Sequence, residues 1–181
     1  IKNTVMPIGE FELLLPIDYG TMYELGNKRN KKGTYKHMFN SQGIDHISID
    51  LNGKDGALSI DLAKPIDLPS RDIVTNFGTS EHVEDQKAVF KNIHNLSHHR
   101  MVGFVPRVAN SPGHGLWHFE LDFFKQLADL NSYEIHKLYI GNKRPKEIIC
   151  YSFYKCNENE FKWSNDLPMH REIGGHGGVK W

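Results

Sequence analysis

The 181-residue sequence predicts an α/β fold built on a mainly parallel sheet. Three observations carry this expectation. Short apolar, β-branched runs alternate with helix-like segments along most of the chain. Two of those segments repeat apolar residues at helical spacing. The last two strand-like runs are joined by a polar turn containing Pro145, so they can pair antiparallel where the sheet closes.

Taken in order, Thr21–Gly26 (TMYELG) reads as a short buried strand. A modest helix is expected from Thr34 to about Ser41, ended by Gln42-Gly43. His46–Leu51 (HISIDL) is the second strand and stops at Asn52-Gly53. Ala57–Leu62 (ALSIDL) reads as a third, stopped by Pro65, and Asp72–Gly78 (DIVTNFG) as a fourth. A helix over roughly Glu81–Leu96 puts Val89, Ile93 and Leu96 on one face. Thr79 or Ser80 is suited to cap it, and Glu81, Glu84 and Asp85 suit the positive end of its dipole. Met101–Pro106 is the fifth strand, followed by a long Pro-, Gly- and His-containing loop, Arg107–Glu120. Leu121–Leu130 is the second clear helix, with Phe123, Phe124, Leu127 and Leu130 on its apolar side. Tyr133–Gly141 and Glu147–Cys156 are the closing strands.

This length suits one domain with a full core. The 22 basic residues balance the 22 acidic ones. No charge excess points to nucleic acid or a membrane surface as the main partner. Arg100, Arg107 and Lys125 make no continuous basic track with aromatics, so a nucleic-acid acceptor is unsupported. No apolar run approaches the ~20 residues of a membrane span, and no signal peptide is visible. The two cysteines, Cys150 and Cys156, make no disulfide framework. Their even spacing puts both on one side of a strand, and reduced thiols in the cytoplasm are expected. The sequence begins at Ile1 rather than Met, consistent with further N-terminal residues.

In parallel sheets covered on both faces, ligands bind outside the carboxyl ends of the strands, where the strand order reverses. That rule directs attention to Gly26–Asn30, Asp50–Gly53, Asp61–Leu62, Asn76–His82 and Pro106–His118. Glu24 and Asp50 stand near the ends of the first two strands. The interval is close to that at which a dinucleotide fold places its ribose-binding acid. Asp61 ends the third strand, where a carboxylate can accept from an amino group. Each alone is an ordinary solvated acid; three at ordered strand ends form a pattern.

The succession YELGN, SIDLNG, LSIDL and DIVTNFGTSEHV, then a helix and a strand, resembles the class I S-adenosylmethionine (SAM)-dependent methyltransferases of the small-molecule type. The resemblance runs from about Tyr19 to Cys156, and DIVTNFGTSEHV is its most specific piece. It implies a three-layer Rossmann-like sandwich, mainly parallel with one antiparallel edge strand. It also implies a single methyltransferase domain with a core over about 19–156 and a tail over 157–181. SAM is the cofactor it implies. Glu24, Gly26, Asn27 and Lys28 would line the methionine end. Asp50 with Leu51 would hold the ribose, and Asp61 with Leu62 the adenine. The backbone of Asn76, Phe77 and Gly78 would face the methionine amino group.

The first motif departs from the family pattern. Gly26 is kept, but Lys28 and Asn30 stand where later glycines are usual. Those glycines let a pyrophosphate approach backbone at a helix N-terminus. SAM carries no phosphate, so one glycine can admit it, and Lys28 or Arg29 can pair with its methionine carboxylate. The departure counts against a nicotinamide-dependent oxidoreductase more than against a methyltransferase. It also leaves room for a degenerate, non-catalytic domain acting as a scaffold subunit.

Methyl transfer demands alignment and exclusion of water more than it demands a base. His82, just after the fourth strand, is the candidate for acceptor contact or base, against an ordinary role in packing or capping a helix start. His114, Trp117 and His118 are placed to shape the pocket of a small-molecule or sugar-type acceptor. His114 and His118 also have metal-ligand spacing for a helix. Pro112, Gly113 and Gly115 disfavour a helix there, and no metal ligands are assigned. His98-His99 reads as an exposed helix end, and His176 lies in the sequence GGHGG. The tail from Asn157 is polar with late Trp residues; packing back across the sheet edge and a homodimer contact both remain open.

Overall fold

The computed structural model describes residues 20–27, 29–30, 33–107, 114–143 and 146–172. Its centre is a six-stranded sheet. The strands are β1 (Thr21–Leu25), β4 (Asp45–Ile49), β5 (Arg71–Phe77), β6 (Ser97–Pro106), β8 (Glu134–Lys143) and β9 (Lys146–Tyr154). Their order is β4-β1-β5-β6-β9-β8. The first four run parallel. At the far side β9 runs antiparallel to both β6 and β8, so the antiparallel element is a hairpin whose inner strand opposes the sheet. Two small ribbons complete the strands: β2 (Arg29–Asn30) with β3 (Gly33–Thr34), and β7 (Trp117–Phe119) with β10 (Met169–Arg171).

Strand alternation sends successive side chains to opposite faces, and two separate cores result. On one face Tyr23, Leu25, Val74, Val105, Ile149, Tyr151 and Phe153 pack under α2 (Gln86–Leu96) and α3 (Leu121–Asn131). Phe90, Phe119, Phe123, Phe124 and Trp163 form an aromatic cluster there, with centroids about 5–6 Å apart. On the other face Met22, Ile73, Phe77, Val102 and Cys150 lie under the short helix α1 (Lys36–Ser41), through Phe39.

Several sequence expectations shift. Ala57–Leu62 is not a strand: one parallel bridge, Leu58 to Ile49, is all that joins it to the sheet. Turns win there, because Asp61 closes its own turn by accepting the Ala63 N–H at 2.9 Å. The helix expected from Glu81 begins at Gln86. Asp85 caps it by accepting from Ala88 N, and Ser80–His82 forms a separate 3-10 turn. His98-His99 sits at the start of β6, not at a helix end. Arg100 is buried in the sheet, donating to Ser152 and lying 4.9 Å over the Tyr154 ring. Cys156 lies beyond β9 and is exposed, whereas Cys150 is buried.

The described part of the tail packs on the α2–α3 face. Phe161 and Leu167 enter the core, and Asn131 bonds Lys162 through both its amide atoms. His94 on α2 donates from Nε2 to the Asn159 carbonyl at 2.8 Å, so its Nδ1 accepts from the Tyr133 hydroxyl at 2.7 Å. Burial, then the nearby Lys155 ammonium, holds its pKa below the usual 6.5. The unfolded chain therefore binds this proton more readily than the native one. The stability at stake is fully present above about pH 6.5 and declines as pH falls below it. Urea midpoints are expected to drop between about pH 7.5 and about pH 5.5, with a shallower slope in His94→Gln. Equal slopes would remove His94 from the account.

Gly26 turns the chain out of β1 with φ +76°, in the left-handed region that suits glycine. A Cβ there would meet Thr79 Oγ1 at 2.3 Å. Gly43 has φ +79° with nothing within 4 Å of its Cβ position. Gly43→Ala is thus expected to cost about 1–2 kcal/mol of backbone strain alone, and Gly26→Ala clearly more. Comparable urea denaturation curves for the two variants would refute the close approach.

Candidate active site

The carboxyl ends of β1, β4, β5 and β6 lie along one edge of the sheet. Strand order reverses between β1 and β5, since β1 is followed outward by β4 on one side and by β5 on the other. Such a reversal opens a crevice, and Gly26 stands at its floor. Three bonds tie the neighbouring ends together. Gly26 N donates to Ile49 O at 2.7 Å, Thr79 Oγ1 to Leu25 O at 2.7 Å, and Gly78 N to Phe104 O at 2.9 Å.

Asp50 follows β4 directly. Its Oδ2 accepts the Asn27 N–H at 3.0 Å and its Oδ1 the Asn52 N–H at 3.1 Å. Two backbone donors thus hold the carboxylate at the crevice in a fixed orientation. Asn27 is further held by the Lys54 carbonyl, to which its side chain donates at 2.7 Å. Beside Asp50, Leu51 is 51% exposed and Leu58 36% exposed, two of the large apolar residues left open to solvent. They are neighbours because Asp50 N donates to Leu58 O and Leu58 N to Ser48 O.

Other expected cofactor residues have different surroundings. Glu24 is wholly buried on the α1 face, where its carboxylate meets His46 Nε2 at 3.0 Å, and His46 stacks on Phe39. Leu62 goes into the α2 core, and its carbonyl accepts from Asn92. Phe77 is a core ring stacked on Phe104. Asn76 is buried and binds Ser80 through both amide atoms, while also donating to Tyr151 Oη at 3.1 Å. Lys28 lies outside the described residues. After Asn27 the chain forms the β2–β3 ribbon, and the next helix begins only at Lys36.

On the other side of the crevice, the Ser80–His82 turn is held from several directions. Gln86 Nε2 donates to the Ser80 carbonyl at 2.7 Å and the Val83 carbonyl at 2.6 Å. Leu116 N donates to Glu81 O at 2.8 Å, and Trp117 Nε1 to Glu84 O at 3.1 Å. Gly115 lies so close that a Cβ would come within 3.0 Å of Glu81. These contacts bring His114 to His82: their rings are 5.3 Å apart and nearly perpendicular. Glu81, buried, lies 3.8 Å from His82 Nε2 and 3.6 Å from His114 Nε2. His118 has a different partner, Glu172, at 3.4 Å, so the His114/His118 spacing brings no shared site.

Sequence reasoning thus reached His82, His114 and Trp117 but passed over Glu81 and Leu58. The signal for Glu81 was its place beside His82 in a strand-end motif. Leu58 had only its apolar character, hidden by the expectation of a third strand.

No protein-family model and no curated protein sequence matches the chain. Solved structures do. The fold is that of the class I SAM-dependent methyltransferases. A SAM-dependent methyltransferase from Mesorhizobium loti aligns with a TM-score of 0.62 at 14% identity, over 81% of this chain and 96% of that one. The 1,6-didemethyltoxoflavin-N1-methyltransferase of Burkholderia thailandensis, solved with its substrate and S-adenosylhomocysteine, aligns at 0.59 and 14%, over 77% and 72%. The magnesium protoporphyrin IX methyltransferase of Synechocystis, solved with SAM, aligns at 0.52 and 14%, over 81% and 73%. Among the described residues no helix is long and apolar enough to cross a membrane.

Proposed function

We propose that this chain is a SAM-dependent methyltransferase acting on a small-molecule or sugar-type acceptor in the cytoplasm. The observation that carries the reading is Asp50, presented at the switch-point crevice on two backbone N–H bonds.

The residues fit the cofactor. A carboxylate has about four acceptor sites, so Asp50 keeps capacity for the two vicinal hydroxyls of a ribose. Leu51 and Leu58 offer an exposed apolar surface for a flat base. Gly26 leaves the floor of the crevice without a side chain. The methionine end would lie along Gly26–Asn27 and the backbone of Asn76–Gly78, with Lys28 near its carboxylate. Asp61 with the Leu62 backbone would bound the adenine. Glu24, paired with His46, acts from beneath as a positioning residue.

When bound, SAM supplies a methyl group already activated on a sulfonium. The chain's own residues then bind and orient the acceptor and keep water out. His82, partly exposed beside the Ser80–Glu84 turn, is suited to hold a proton taken from a hydroxyl or amine. His114 and Trp117 would form the facing wall, with His118 behind them.

A second reading, a non-catalytic scaffold, is favoured by the single bridge where a third strand is expected and by the short ribbon after β1. A nicotinamide enzyme is disfavoured by the same ribbon, since among the described residues no helix begins between Gly26 and Lys36 to receive a pyrophosphate. Calorimetric titration with SAM, S-adenosylhomocysteine and NAD separates the three. Binding of the first two alone supports methyl transfer, and heat with none of them brings the scaffold forward.

A further inference from the structure

The cluster of Glu81, His82 and His114 is more than a wall of the acceptor pocket. One carboxylate oxygen and two imidazole nitrogens lie within 4.8 Å of one another. Ligands bound at about 2.0–2.2 Å to one ion stand roughly 3.0–3.5 Å apart. The Glu81 contacts to His82 and His114, 3.8 and 3.6 Å, are close to that range. Closing the remainder needs only small rotations of two imidazoles, and both have room: the His114 side chain is 41% exposed and that of His82 25%.

The support behind these three side chains is unusually complete. Glu81 and His82 ride on a turn pinned by Asn76, Ser80 and Gln86, and Asn76 is itself bonded to Tyr151. His114 is delivered by a different segment, docked through the Leu116–Glu81 backbone bond and the close approach of Gly115. Metal sites depend on such secondary bonding to hold their ligands in orientation. Among the described residues the other histidine–acid pairs, His46–Glu24, His98–Glu158, His99–Asp72, His118–Glu172 and His170–Glu120, each join one imidazole to one acid and make no such group.

We propose that Glu81, His82 and His114 form a divalent-metal site. Two imidazoles and one carboxylate suit a first-row transition ion such as Mn²⁺, Fe²⁺, Co²⁺ or Zn²⁺ better than Mg²⁺ or Ca²⁺, which prefer oxygen. Three protein ligands leave positions open on the crevice side. Resting on the methyltransferase reading, those positions take a hydroxyl oxygen of the acceptor. Coordination lowers the pKa of that hydroxyl. With the ion in place His82 is a ligand and no longer the base, and the hydroxyl proton passes to solvent water as the acceptor enters. The acceptor class is then an oxygen nucleophile, an alcohol or phenol.

The test is Co²⁺ titration of the purified, chelator-treated chain, followed by visible d–d absorption. The wild type should bind one Co²⁺ per chain. His114→Ala, which alters a partly exposed side chain, should weaken binding at least about 10-fold, the loss that even an outer partner of a metal ligand causes. Glu81→Gln should do the same, and His98→Ala should leave it intact. No Co²⁺ spectrum in the wild type, or equal affinity in His114→Ala, would overturn the site and leave histidine–glutamate ion pairs in its place. SAM calorimetry on the same wild-type sample is independent. Co²⁺ binding without SAM binding would uphold the metal site and sink the methyltransferase reading, and the acceptor clause with it.

Discussion

Asp50→Ala is expected to weaken SAM binding by about 30- to 1000-fold. Two hydrogen bonds from ribose hydroxyls to a carboxylate contribute roughly 2–4 kcal/mol together, and each 1.4 kcal/mol is about tenfold. The substitution has a second cost. The N–H groups of Asn27 and Asn52 lose their acceptor, and with it the alignment of the two loops that flank the crevice. Both loops have access to water, so global stability should fall by only about 1 kcal/mol. Asp50→Asn keeps one acceptor oxygen and should lie between wild type and alanine. Calorimetry reads the affinity, and a urea curve on the same variant shows that the sheet persists. If Asp50→Ala binds SAM as tightly as wild type, the ribose does not sit at Asp50.

Gly103→Ala is expected to destabilise the chain by about 3 kcal/mol or more. Gly103 is in the middle of β6, between Asn76 on β5 and Tyr151 on β9. A Cβ there would stand 2.5 Å from Tyr151 Cζ and Oη and 2.7 Å from the Asn76 carbonyl oxygen. Neither neighbour moves freely. The Tyr151 ring is stacked on Phe124 at 4.5 Å, and its hydroxyl accepts from Asn76. The Asn76 carbonyl belongs to the sheet backbone. Overpacking of this kind costs about 1–3 kcal/mol, and the strained hydrogen bond adds about 1. Tyr151→Leu should recover part of the loss when combined with Gly103→Ala, a coupling that a double-mutant cycle measures. A Gly103→Ala variant within about 0.5 kcal/mol of wild type would disprove the contact. The effect also bears on function, because the Asn76–Tyr151 bond supports the turn that carries Glu81 and His82.

The sequence alone determined a good deal. Alternating strands and helices, the positions of β1, β4, β5 and β6 to within a few residues, and the apolar faces of α2 and α3 follow from periodicity. Periodicity is local and survives without knowledge of neighbours. The end of each parallel strand was equally legible, so Gly26, Asp50, Gly78 and His82 could be assigned to one edge before any coordinates. Side-chain destinations were not. Glu24 and Asp50 look alike as acids at strand ends, yet one is sealed against His46 under Phe39 and the other is held open at the crevice. Which happens depends on the face each residue presents and on what covers it, a matter of helices distant in sequence. ALSIDL has a strand's composition, but the turn closed by Asp61 and the lack of a partner beyond Leu58 leave it a bridge. The meeting of His114 with Glu81 was decided by a backbone bond between segments about 35 residues apart, and no spacing rule encodes a bond of that kind.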